Sequence, residues 1–265
     1  MCLIAVAWRS HPRFRLALIA NRDEFHARPT LPAAGDGGQV FGGRDVEKGG
    51  SWLLASTGGR LAAVTNVRVG PAPETAMRSR GILTREFVTA ETSVGEHLEH
   101  LATDASEYGR FNLLLGSADA LHYASNHPHY RHLRLPPGVH ALSNGDLDAP
   151  WPKAERVRQS LSDWLAADAS RRGTPELSPL FEALADRRPA ADEALPDTGV
   201  GMALERFLSS PFIVGQDYGT RASTVLLIDD EHAMLCERRF GRGGIFQGET
   251  HLSFPVPPRR PSSQL

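Results

Sequence analysis

Cysteine is scarce in this chain: two among 265 residues, Cys2 and Cys236. Two thiols cannot build a disulfide scaffold, so a reducing, cytoplasmic compartment is expected. Charge of one sign is not in excess. The formal net charge is −2 and the pI about 6.6, which gives no reason to expect nucleic acid or an anionic membrane surface as partner. No apolar run approaches the roughly 18 residues of a membrane span. The opening "MCLIAVAW" is apolar, but no basic residue precedes it and Arg9 cuts it short, unlike a secretory signal. A Gly-x-x-x-x-Gly-Lys motif is absent, as is a Cys-x-x-Cys-His motif. The first absence removes a P-loop and the second removes covalently attached haem.

What is present suffices for a large core, since 41% of residues are hydrophobic. Cys2 to Trp8 reads as a buried strand, and Arg13 to Arg22 as its hairpin partner, with Phe14, Leu16 and Leu18 on one face. Residues 27–39, "ARPTLPAAGDGGQ", read as loop because of their Pro and Gly content. Two strands follow in "SWLLASTGGRLAAVTNV". Two helices come next, in "SRGILTREFVTA" and in "SVGEHLEHLATDA", the latter capped by Ser93. Strands return in "FNLLLGS", "ALHYAS" and "GVHALSN". A long helix is expected from Trp151 or Pro152 to about Ala167, and shorter ones around Pro179 to Ala185 and in "MALERFLSS". "STVLLIDDEHAMLCERRF" reads as a hairpin turning at Asp229 to Glu231. Strands arrive as hairpins and not as strand–helix–strand units, which points to an α+β sandwich of antiparallel sheets flanked by helices. A single domain over residues 1–250 is expected, with residues 251–265 as a disordered tail.

The residue that draws attention is Cys2. Methionine is trimmed when the next residue is small. Cys2 would then carry a thiol beside a free α-amine of pKa about 7.7 to 8.0, so nucleophile and general base would share one residue. The plainer reading is a small buried hydrophobe. At the end of the partner strand stand Asn21, Arg22, Asp23 and Glu24. An arginine there would stabilise a thiolate, and a carboxylate would hold the amine or the arginine. Asn66 in "AAVTNVR" and Asn144 in "HALSNGD" close strands, where side-chain amides can donate to a tetrahedral oxyanion. Turn chemistry alone also explains Asn144. Arg221 in "DYGTRASTVLLI" precedes an apolar strand. Arg44 and Trp52 in "GGRDVEKGGSW" are expected to border the cleft as substrate-binding residues, together with Asn21 and Glu24. Trp151 and Trp164 read as core.

The motifs "NRDEF.ARPT", "GGRD", "GGSW", "GRLAAVTNVR", "SRGIL", "FNLLLG", "LSNGDLDAPWPK" and "YGTRAST" occur in order over about residues 1 to 245. In this the chain resembles the transport and Golgi organisation 2 family, also called NRDE proteins. The resemblance implies an N-terminal-nucleophile hydrolase-like fold of four layers, αββα. It also implies a distant similarity to choloylglycine hydrolases and penicillin V acylases, in which an N-terminal cysteine attacks an amide carbonyl. By that resemblance Cys2 is the nucleophile, Arg22 and Asp23 flank it, Asn66 and Asn144 bind the oxyanion or substrate, and Arg221 closes the site. One departure matters. The acylase pattern Arg-Asn-x-Asp is here Asn21-Arg22-Asp23-Glu24, and one residue's displacement along a strand swaps faces. Either Asn21 or Arg22 could face the thiol, and either Asp23 or Glu24 could be the carboxylate partner.

Two functions follow as expectations. The first is a cysteine amidohydrolase that acts on a C–N bond through Cys2 and needs no cofactor or metal. The second is a carrier of a small molecule, haem or an acyl-CoA or lipid as the family resemblance implies, using the same cleft without turnover. For haem the histidines of "HPHYRH" at 127–132 and the pair His97 and His100 offer themselves. Their simpler reading is a surface loop and a solvated helix face. The remaining reading, a passive scaffold, predicts no pocket.

Overall fold

The computed structural model describes residues 2–70, 76–168 and 173–258. Two hairpins build the centre of the first sheet. β1 (Cys2–Trp8) pairs antiparallel with β2 (Leu16–Phe25), and β2 pairs antiparallel with β11 (Tyr218–Ile228). β12 (His232–Phe240) and β13 (Phe246–Pro255) extend the sheet on one side, and β10 (Gly138–Leu142) on the other. β1 and the first half of β2, Leu16 to Ala20, read as unbroken apolar runs because both of their faces are covered. Ile4, Val6, Leu16 and Leu18 face the second sheet, while Leu3, Ala5, Ala17 and Ile19 face helices.

The second sheet has seven antiparallel strands: β3 (Thr30–Asp36), β4 (Val40–Asp45), β5 (Leu53–Ser56), β6 (Leu61–Asn66), β7 (Phe111–Gly116), β8 (Leu121–Ser125) and β9 (Arg131–Arg134). Helices α1 (Gly81–Thr89) and α2 (Val94–Asp104) cover its outer face through Leu83, Phe87, Leu98 and Leu101. Helices α3 (Pro152–Asp168) and α4 (Ser178–Leu184) cover the outer face of the first sheet through Val157, Leu161, Leu180 and Leu184. A short helix, α5 (Met202–Phe207), lies beyond them in sequence. The fold is thus α+β, with four layers ordered αββα. Each fully buried leucine or phenylalanine contributes about 1.5 to 3 kcal/mol, and all three interlayer spaces are filled in this way. Ser93 caps α2 as expected: it accepts from the Glu96 N–H, and Glu96 returns a bond to the Ser93 N–H.

Several expectations change. Phe14 lies before β2 and packs in the helix-facing cluster with Trp164, while Leu16 and Leu18 face the other sheet. The stretch 27–39 is not all loop, since it contains β3, an edge strand whose register slips between Leu31 and Ala34 around Pro32. β4, β9 and β13 also go beyond the sequence reading. Residues 251–255, assigned to the tail, complete β13. They are held because Phe254 stacks on Phe41 of the opposite sheet with ring centroids 3.9 Å apart, and because the Val256 N–H donates to Glu231 O at 2.8 Å. The rest of that expected tail, residues 259–265, lies outside the described residues. Trp164 is core, whereas Trp151 is half-buried. Among the described residues, no helix is long and apolar enough to cross a membrane.

Candidate functional site

Register decides what stands next to Cys2. In β1 and β2, Cys2 lies opposite Arg22, while Leu3 lies opposite Asn21. The two candidate residues therefore belong to opposite faces of the sheet, and Arg22 is the one at the cysteine's position. Asn21 is committed elsewhere. Its Nδ2 donates to Leu184 O and Pro211 O, both at 2.8 Å, and its Oδ1 accepts from Ser223 Oγ at 2.6 Å. It clamps the helix layer onto β2 and has no donor left for a substrate, which removes it from the binding residues.

Arg22 is only 4% exposed. Its guanidinium lies 4.5 Å from the Trp52 ring centroid, donates to Thr30 Oγ1 at 3.2 Å, and is 3.7 Å from carboxylate oxygens of both Glu24 and Asp45. Trp52 reaches it only because residue 43 is glycine: a Cβ there would come within 2.1 Å of the indole. The same Cβ would come within 3.2 Å of Oε2 of Glu237, which is 1% exposed and whose Oε1 accepts from the Ala33 N–H at 2.8 Å. Burial pushes its carboxyl up to about 7, against the opposing pull of the Ala33 N–H, Arg239 and Arg22. Asp23 is buried and accepts from Thr220 Oγ1 at 2.7 Å. Burial raises its pKa, with Lys153 opposing.

Across from the β2 terminus, the two asparagines meet. Asn144 Nδ2 donates to Asn66 O at 2.8 Å and to Asn66 Oδ1 at 3.1 Å, and Asn144 O accepts from the Arg68 N–H at 2.8 Å. This joins the end of β6 to the residues after β10. With Asn66 Oδ1 engaged, its Nδ2 is the end available to the adjoining cavity.

That cavity holds about 850 Å³ and is bordered by Arg22, Asp23, Glu24, Trp52 and Asn66 among others. Its rim adds residues that sequence reasoning missed: Arg28, Lys48, Arg68, Arg78, Arg80 and Arg110. Arg28 is held by Asp45 at 2.7 Å. Arg68 is held by Glu205 at 2.5 Å and by Thr198 Oγ1 at 2.9 Å. Seven cations thus face three carboxylates (Asp23, Glu24 and Asp45) in a chain whose net charge is −2. An apolar wall of Val67, Val69, Met77, Leu204 and Phe207 completes the lining. Such a lining is complementary in charge and polarity to an anion with an apolar portion, although Glu205 offsets Arg68 and Glu86 and Asp104 offset Arg78.

The family model for Transport and Golgi organisation 2 matches residues 1–242. The chain belongs to that family. It is 34% identical over 261 residues to the transport and Golgi organization protein 2 homolog of Bos taurus, covering 90% of this chain and 92% of that one. The human homolog is 31% identical over 257 residues with the same coverage. The Drosophila melanogaster protein is 28% identical over 267 residues, covering 88% and 90%. Among solved structures, a Caenorhabditis elegans N-acylethanolamine-hydrolyzing acid amidase ortholog is similar with a TM-score of 0.49 and 12% identity, covering 85% of this chain and 92% of that one.

The family motifs distribute themselves unevenly over the site. Arg22, Asp23, Glu24, Trp52 and Asn66 border the cavity, and Asn144 reaches it through Asn66. Arg221 does not border it. It is the extra residue at the bulge between Thr220 and Ala222, and its Nη1 donates to the carbonyls of Phe25, His26 and Arg28. It therefore shapes the turn that presents Arg28. Burial, and then the charge of Arg22, lower its pKa. Arg44 points into a separate groove of about 240 Å³ and pairs with Asp36 at 3.1 Å. The alternation of β4 sends it away from the main cavity. The histidines are elsewhere too, with His97 of α2 resting edge-on against Phe87 of α1, and no histidine is among the described lining residues. Of the missed cations, Arg28 sits in "NRDEF.ARPT", Arg68 closes the motif "GRLAAVTNVR" and Arg80 sits in "SRGIL". Membership in those motifs was the available signal.

Proposed function

We propose that this chain is a cysteine hydrolase of the N-terminal-nucleophile type, cleaving the C–N bond of an amide whose acyl or amine part is anionic and partly apolar. The observation that supports it is the pairing of Cys2 with Arg22 beside the Asn66–Asn144 junction. Met1 lies outside the described residues. Its removal would free the α-amine, which takes the thiol proton. The thiolate attacks the amide carbonyl, and the oxyanion is met by the Nδ2 of Asn66 and the charge of Arg22. The intermediate collapses to a thioester, and the α-ammonium gives its proton to the departing amine. Water, deprotonated by the same amine, then releases the carboxylic acid and restores the thiol. Asp23 and Thr220 hold the strand end in place. No cofactor enters.

The carrier reading is favoured by a different observation, the cationic rim beside an apolar wall, which suits haem or an acyl-CoA or lipid as cargo. With no histidine among the described lining residues, an iron ligand would fall to Met77 or Tyr218. The experiment is turnover of N-acyl amides that carry a carboxylate or phosphate, with intact-mass measurement of the amino terminus. Loss of Met1, and turnover abolished in Cys2→Ala with binding retained, supports the hydrolase. A retained Met1, or turnover that survives Cys2→Ala, refutes it. A haem Soret shift that is unchanged in Cys2→Ala, with no turnover of any amide, supports the carrier.

A further inference from the structure

We propose that Cys236, Glu249 and His251 form a binding site for a zinc-class divalent cation on the helix-facing side of the six-stranded sheet. Cys236 lies directly opposite His251 in the β12–β13 pair, and Arg238 lies opposite Glu249. Strand alternation puts all four residues on one face. Their ligand atoms lie within 4.8 Å of one another. None of the three borders the main cavity.

The donor set suits the ion. Thiolate, imidazole and carboxylate are the three groups zinc takes, and three protein ligands leave one position to solvent. His251 is 62% exposed on the open side of the cluster, so that position is accessible to water. The spacing also suits it. Zinc bonds of about 2.3 Å to sulfur and about 2.0 Å to nitrogen, at the tetrahedral angle, separate the two atoms by about 3.5 Å. Cys236 Sγ and His251 Nε2 are 3.6 Å apart, whereas Sγ and Nδ1 are 2.7 Å apart. The Sγ–Nε2 separation is the one that matches without adjustment, and a small rotation of the exposed imidazole opens the Sγ–Nδ1 separation to the same value. Glu249 is oriented for the same point. Its Oε2 accepts from Arg238 Nε at 2.5 Å, and its Oε1 faces His251 Nε2. Arg238 is itself fixed 4.0 Å from the Phe181 ring centroid. The carboxylate is thus held from behind, as an outer partner holds a metal ligand. Binding replaces the Glu249–His251 hydrogen bond with two metal bonds; the imidazole proton of that bond moves to the other ring nitrogen, and the thiol proton is released to solvent.

The test titrates metal-free full-length protein with Co²⁺ and reads the thiolate-to-cobalt charge-transfer absorption, then displaces the ion with Zn²⁺. One Co²⁺ per chain with that absorption is expected in the wild type and in Cys2→Ala, and its loss in Cys236→Ser and in His251→Ala. Cys236 is in the core, so His251→Ala, at an exposed position, is the decisive variant. Absence of the absorption in the wild type overturns the proposal. So does its survival in His251→Ala, or its loss in Cys2→Ala, which would assign the thiolate to the other cysteine.

Discussion

Glu237 offers a quantitative test of the packing between the sheets. Its carboxyl is 1% exposed, and its Oε2 has no hydrogen-bond partner among the described residues. Burial raises its pKa from an ordinary 4.5 to about 7 in the folded protein. Between those two values the unfolded chain has lost the proton and the folded chain keeps it. The folded state then binds more protons, so stability falls as pH rises through this window and levels off above 7. At about 1.4 kcal/mol per pH unit the full penalty is about 3 kcal/mol, of which about 2 to 3 kcal/mol develops between pH 5 and pH 8. Glu237→Gln removes the titration and keeps an acceptor for the Ala33 N–H. Urea unfolding of both proteins at pH 5, 6, 7 and 8 measures the difference at each pH. Costs of the amide that do not depend on pH cancel in the comparison. The variant is expected to gain on the wild type by about 2 to 3 kcal/mol from pH 5 to pH 8. A difference that stays flat across this range would refute the account of a carboxyl held neutral by burial.

Other outcomes follow from named contacts. Gly43→Ala drives a Cβ into the Trp52 indole, and is expected to cost about 1 to 3 kcal/mol and to change Trp52 fluorescence; unchanged stability and emission would contradict the fit. Glu205→Ala leaves the Arg68 guanidinium buried without its carboxylate, at an expected cost of about 3 to 5 kcal/mol in chemical denaturation. Cys236 is fully buried and its thiol is pushed by burial up to about 11, so metal-free Cys2→Ala should resist a small thiol reagent at pH 8 and take one equivalent in urea. Fast labelling of the native protein would argue against that burial.

The central strands were legible because their signal is strong and redundant. Cys2 to Trp8, "FNLLLG" and "STVLLI" are covered on both faces, so they read as unbroken apolar runs. The strands that escaped are β3, β9 and β13 at sheet edges, and β4 beside one of them. Edges carry charge, proline and register slips to discourage pairing with other chains, and these features erase the apolar alternation by which strands are recognised. β9 is "RHLR", and β3 contains Pro32. The polar end of β2 was visible as a candidate site, but its facing was not, because facing depends on a register that only the paired strand fixes. The cationic rim was visible only in part. Arg28, Arg68 and Arg80 lie within the family motifs, whereas Lys48, Arg78 and Arg110 come from separate loops and each looks like an ordinary surface charge until the loops converge. Cys236, Glu249 and His251 are likewise two residues of one strand and one of its neighbour, with no spacing that marks them as a set.

The junction of Asn144 with Asn66 and Arg68 has a mechanical consequence. One residue grips the other sheet at three atoms, so the two plates of the sandwich are pinned at this corner and cannot slide past each other there. Any ligand that wedges the plates apart must first unfasten that pin, and in doing so it turns the amide of Asn66. The width of the opening and the aim of the Asn66 amide are thereby a single coordinate.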